Sequence, residues 1–298
     1  MANSAIIFNK TVRFIKRYAK RFDLNVPANR QDLEKKVLNI INKYPSVLIV
    51  QNKLGKNLGM IACEYKLENV VMRALESFDA SVQQDKDGIN IGMYAAKNKL
   101  EEATLKALDN YEASVQQCGL IAEKNIDKFN IGMFAAIKHL RRAALKALDN
   151  PVASTQVSGM LQNIGMIAAQ CRMQDVTIKA LANKEASLQK DIFDMNIGMF
   201  SAKYKLEEAT LKALDNYEAS IQTTKAGENI GIFAANSKLE KSVKKACLND
   251  VAREQRTTYG KNMVDIAKAN GLEIDESKFE DKTEEAIDSI YEKIFGKQ

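Results

Sequence analysis

The sequence predicts an all-α protein, a solenoid of about seven 33-residue helix–turn–helix repeats with helical caps. Three observations predict it. A motif led by asparagine returns at Asn57, Asn90, Asn130, Asn163, Asn196, Asn229 and Asn262, at separations of 33, 40, 33, 33, 33 and 33 residues. Apolar residues between the motifs recur at helical spacing. The composition, 46% hydrophobic and 28% charged, is that of a folded chain and excludes wholesale disorder.

The first element is a basic amphipathic helix. Phe8, Val12, Ile15, Tyr18, Ala19 and Phe22 fall at helical spacing, and Lys10, Arg13, Lys16, Arg17, Lys20 and Arg21 interrupt them. The spacing allows two readings: a helix that packs its apolar face on the first repeat and covers the end of the array, or one that docks on a membrane surface or an acidic partner. Residues 33–44 read as the second helix of a degenerate first repeat. The predicted organisation is therefore a basic cap over 1–50, then a repeat array over 51–298 that ends in an acidic capping helix.

Within the array, Asn90-Ile91-Gly92-Met93-Tyr94-Ala95-Ala96 typifies the motif, and Asn57-Leu58-Gly59-Met60-Ile61-Ala62-Cys63 is its first copy. Asparagine is a good N-cap, because its side-chain oxygen accepts from an orphan amide of the first turn. A first helix is expected from Asn90 to Asn98, with Gly92 and the paired alanines allowing close approach. A second is expected from Leu100, with Leu100, Ala103, Leu105 and Leu108 inward and Glu101, Glu102 and Lys106 outward. The stretch Ala113 to Gln117 is then expected to be extended. The 40-residue spacing inserts seven residues between Cys118 and Lys128.

Charge and rare residues exclude several functions. Residues 1–56 carry +9 and residues 273–298 carry −5, which leaves +2 for the body, so the basic balance is N-terminal. Together with 34 lysines against 10 arginines, this weakens a nucleic-acid reading. One histidine, His139, cannot build a His-based metal cluster within the chain. Cys63, Cys118, Cys171 and Cys247 lack paired ligand spacing. Cys63 reads as a small buried residue and Cys118 as a thiol beside the insert. No phosphate-binding glycine loop is present. No catalytic residue, metal site or cofactor is expected. The longest apolar run is about four residues, Val47–Val50, and no secretory signal pattern is present. The expected location is the cytoplasm, or a host cell entered as an effector.

The motif resembles that of ankyrin repeat proteins, with period 33 and Asn-Ile-Gly-Met-x-Ala-Ala where that family has Thr-Pro-Leu-His-x-Ala-Ala. Asp85-Lys86-Asp87-Gly88-Ile89 resembles the family's turn, and Ala80-Ser81-Val82-Gln83 its strand. The turn glycine stands at Gly55, Gly88, Gly227 and Gly260 but is replaced by Lys128, Leu161 and Asp194. Those turns are expected to bend differently or to carry strain.

The resemblance implies a protein partner held by the turn tips and the exposed part of the first helices. Those positions become apolar in the central repeats: Ile126, Phe129, Met160, Leu161, Ile192, Phe193, Met195 and Tyr204. They form a candidate partner-binding rim, or else fold back onto their own turns. The alternative function is peripheral binding of a membrane surface or anionic polymer through Arg13, Lys16, Arg17 and Lys20.

Overall fold

The computed structural model describes residues 2–119 and 128–275. All regular structure among them is helical, as expected, and none of it is strand. The expected acidic C-terminal helix and most of the insert, Ile126 included, lie outside the described residues. The chain divides into two compact units, Met1–Ala186 and Ser187–Gln298.

The N-terminal unit opens with α1 (Ala2–Arg21) and α2 (Pro27–Lys43), followed by a 3-10 turn, Pro45–Ile49. Phe8, Ile15 and Tyr18 of α1 are buried, and the helix packs on α2, the 3-10 turn and the first repeat. This is the covering role of the two readings. Tyr18 donates its hydroxyl to Asp32 at 2.6 Å, and Lys36 donates to the same oxygen at 2.6 Å. Those two donors, the lysine first, hold the Asp32 carboxyl below its ordinary value. Glu34 of α2 is a buried acid with a structural task. It accepts from Asn69 N at 3.0 Å and Asn69 Nδ2 at 2.7 Å, satisfying an orphan amide at the start of the next helix.

Each of the first six repeats has three helices, not two. The first helices are Leu58–Glu64, Ile91–Lys97, Ile131–Ile137 and Ile164–Gln170 in the N-terminal unit, with Ile197–Lys203, Ile230–Asn236 and Met263–Ala269 in the C-terminal one. Second helices such as Glu101–Ala107 and Glu207–Ala213 follow. Of the stretch expected to be extended, Gln116 is so, but Ala113–Val115 close a short third helix, Tyr111–Val115, with counterparts Phe78–Val82, Pro151–Thr155 and Tyr217–Ser220. The cause is local. Asn110 caps it by accepting from Ala113 N at 3.2 Å, and Ser114 donates back to Tyr111 O at 2.7 Å.

The leading asparagines do more than cap. Asn90 is fully buried, and its Oδ1 accepts from Met93 N at 2.9 Å. Its Nδ2 donates to Ala113 O at 2.9 Å and to Gln116 Oε1 at 2.8 Å. Gln116 Nε2 then donates to Val82 O of the preceding repeat at 2.8 Å. One amide therefore ties the start of the first helix to the end of the third, and the glutamine ties that to its neighbour. The same bonds recur at Asn57, Asn130, Asn196 and Asn229. A parallel row joins the third helices: Asn110 donates to Ser81, Asn150 to Ser114 and Asn249 to Ser220. Threonine, which the family motif has at this place, has no second donor arm for such a bond.

Within each unit, consecutive first helices pack on one another. Ile91, Ile131, Ile164 and Ile230, each next to a capping asparagine, seat against the glycine one repeat earlier: Gly59, Gly92, Gly132 and Gly198. Methionines 60, 93, 133, 166 and 199 fill the interior between them.

Candidate interaction surfaces

A five-residue turn leads into every first helix except Ile131–Ile137, which follows the insert. Its first residue carries a side-chain acceptor: Asn52, Asp85, Ser158, Asp191 and Thr224 each take the amides two and four residues on. Its fourth residue has positive φ, at Gly55, Gly88, Gly227 and Gly260, but also at Leu161 (+58°) and Asp194 (+61°). At Leu161 and Asp194 the loss of glycine therefore did not change the bend, while Lys128 follows insert residues outside the described ones. Those two turns keep the left-handed conformation and carry its steric cost, roughly 1–2 kcal/mol for a residue with a Cβ. At the insert, Cys118 N donates to Phe129 O at 3.0 Å and Phe129 N donates to Cys118 Sγ at 3.3 Å. The usual pairing is kept around the longer loop.

The structure divides the predicted rim. Met160 and Leu161 are exposed in the N-terminal unit, with Leu161 at 46%. Ile192 and Phe193 are exposed in the C-terminal unit, with Phe193 at 60%. Three residues predicted to face outward do not. Met195 is 6% exposed, because the fifth turn residue pairs its backbone with Asp191 and turns its side chain inward. Phe129 is half-buried, edge-on to Phe134 with ring centroids 5.4 Å apart. Tyr204 is half-buried and stacks parallel to Phe200 at 6.3 Å. Ile126 lies outside the described residues.

On α1, Arg13, Lys16, Arg17 and Lys20 all face solvent, and Ile6 of the helix and Phe22 just past its end are exposed too. Cys63 and Cys118 are buried, and burial pushes the Cys63 thiol well up and that of Cys171 up. A thiol pushed up is kept from the nucleophilic thiolate form. No group of three or more His, Cys, Asp or Glu among the described residues could hold a metal ion, and no described helix is long and apolar enough to cross a membrane.

Two features escaped the sequence reading. The first is a set of exposed aromatics that open the third helices, Phe78, Tyr111 and Tyr217. Phe78 and Tyr111 line an open cleft with Leu75, Lys106 and Asp109. Their signal was a capping Ser77, Asn110 or Asn216 directly before each aromatic.

The second feature sits at the other end of the first helices. The residue that turns the chain into each second helix has positive φ at Lys66 (+55°), Lys99 (+61°), His139 (+58°) and Arg172 (+56°) of the N-terminal unit. Lys205 (+62°) and Lys238 (+60°) hold it in the C-terminal unit, and only the last repeat has a glycine there, Gly271. All six side-chain-bearing residues are basic types and exposed. A lysine or arginine there sets its charge at the carbonyl end of a helix, which offsets about 0.3–1 kcal/mol. That is below the left-handed cost of about 1–2 kcal/mol. Glycine or asparagine would serve the backbone better.

Compared with known proteins, the chain matches no family model and no curated sequence.

Proposed function

We propose that this chain is a non-catalytic protein-binding module of ankyrin-like design, an adaptor, inhibitor or effector that grips a partner protein with the turn tips of its central repeats. One observation carries the reading. Leu161 stands at a left-handed turn position where four sister turns have glycine, and it is exposed beside Met160. An apolar side chain held out at a conformational cost serves no packing purpose of its own, and strain of this kind is characteristic of binding sites. Ile192 and Phe193 repeat the display in the C-terminal unit, beside the left-handed Asp194. The candidate residues are thus fewer than the sequence predicts: Met160 and Leu161 in one unit, Ile192 and Phe193 in the other, without Phe129, Met195 or Tyr204.

The test is affinity capture with wild type beside a Met160→Ser, Leu161→Gly, Ile192→Ser, Phe193→Ser variant. Proteins captured by the first and lost by the second support the reading; identical captured sets overturn it. The exposed basic face of α1 favours a second reading, binding of a membrane surface or anionic polymer. Its association falls steeply with added salt and vanishes when Arg13, Arg17 and Lys20 are reversed to glutamate.

A further inference from the structure

The row Lys66, Lys99, His139 and Arg172 is a surface distinct from the turn tips, lying at the far end of seven-residue helices, roughly 10 Å away. Four facts set it apart. Every member faces solvent. None makes an ion pair among the described residues, although Arg141, Arg142, Lys146 and Lys179 on the second helices all pair with acids. Three acids near the row are committed elsewhere: Glu64 to Lys56, Glu101 to the Arg142 amide and Glu102 to the Arg142 guanidinium. And the chain forgoes glycine at this position in repeat after repeat while using it at four of the turns.

We propose that this row binds an extended acidic polypeptide segment with a carboxylate at every third residue. The spacing argues for it. Helices packed as these are lie about 8–10 Å apart, so the row offers one basic side chain per roughly 9 Å. Three residues of extended chain span about 10 Å, which sets one carboxylate against each repeat. A nucleic acid is a poorer fit. Its charges are far denser, about one per 1.7 Å of duplex. Three of the four positions also lack the forked guanidinium that suits phosphate.

The experiment uses the full chain and three fluorescein-labelled probes at low salt, read by anisotropy. They are a (Glu-Ser-Gly)4 peptide, a peptide of the same composition with its four glutamates consecutive, and a twelve-nucleotide oligothymidylate. The test variant is Lys66→Asn, Lys99→Asn, Arg172→Asn, since asparagine accepts the left-handed backbone and the variant keeps its fold. The control, Arg13→Gln, Arg17→Gln, Lys20→Gln, removes equal charge from α1. The spaced peptide is expected to bind at least fivefold tighter than the clustered one. The test variant is expected to lose at least tenfold in affinity for it, and the control less than twofold. Absence of binding, equal affinity for the two peptides, equal loss in both variants, or tighter binding of the oligothymidylate each overturns the proposal. None of these outcomes bears on the turn-tip residues, which all three proteins retain.

Discussion

Tyr94 donates its hydroxyl to Asp85 Oδ2 at 2.6 Å, closing a turn whose other carboxylate oxygen already holds two backbone amides. Asp191 opens the matching turn of a later repeat and binds its two amides in the same way, but the residue in the place of Tyr94 is Phe200. Asp191 Oδ2 is buried without a partner. An unmet buried acceptor costs about 1–3 kcal/mol. Phe200→Tyr is therefore expected to raise stability by about 1 kcal/mol, read as a higher urea midpoint at unchanged slope, and Tyr94→Phe to lower it by a similar amount. A destabilised Phe200→Tyr would show that the pocket around that ring has no room for the hydroxyl.

The same tyrosine predicts a response to alkali. Burial first, and the bond to Asp85 second, raise the Tyr94 hydroxyl above its ordinary value of 10.0. The unfolded chain thus loses this proton at lower pH than the folded one. The stabilisation is complete below about pH 10 and drains away as pH rises beyond it. Between pH 10 and 11 the wild type should lose stability more steeply than Tyr94→Phe. Parallel curves would remove Tyr94 as the cause.

At Gly59, an added Cβ would stand 2.6 Å from Ile91 Cδ1 and 2.8 Å from Ala74 Cβ. The isoleucine tip can swing away, but the alanine cannot. Gly59→Ala is expected to cost about 1–3 kcal/mol by overpacking. Gly119→Ala, where nothing stands within 4 Å, should leave the thermal midpoint in place. Equal midpoints for the two variants would contradict the close seating of one repeat on the next.

Asn90 gives a sharper contrast. Asn90→Ala strips a cap and leaves Ala113 O and Gln116 Oε1 without their donor, at an expected cost of about 3 kcal/mol. Asn90→Asp keeps the cap but buries a charge against those two acceptor oxygens. It should cost at least as much at pH 7 and recover part of that loss on acidification. Denaturant titrations at pH 7 and pH 4 test both. An aspartate variant as stable as wild type at pH 7 would refute the donor role.

The left-handed positions make a prediction of the opposite sign. Leu161→Gly and Lys99→Gly are each expected to raise stability by about 1 kcal/mol, because glycine meets no Cβ clash there. A fall in the melting point of either would mean that its side chain contributes more than its backbone costs.

Much of this was legible in the sequence because it is written in short-range terms. An asparagine ahead of Ile-Gly-Met states both the cap and the helix, and a fixed period states the stacking partner. Tyr111–Val115 was misread because its alanine, serine and valine suit an extended chain. What decides its shape is the Asn110 cap together with the Ser114 back-bond, visible only when both are placed. Met195 was misplaced for a related reason. Two turn residues on either side of the left-handed Asp194 point in opposite directions, so Phe193 is presented and Met195 is swallowed. The basic row went unseen because its members are 33 or 40 residues apart in the chain and come together only through stacking.

The pairing of Cys118 with Phe129 has an evolutionary and a practical meaning. Ten residues separate them where three separate Asp85 from Ile89, yet the backbone clasp at their base is the same. A clasp indifferent to what it encloses turns each tip into a cassette. New sequence can be spliced in without renegotiating the helices beneath, so this scaffold can acquire or exchange recognition loops one repeat at a time.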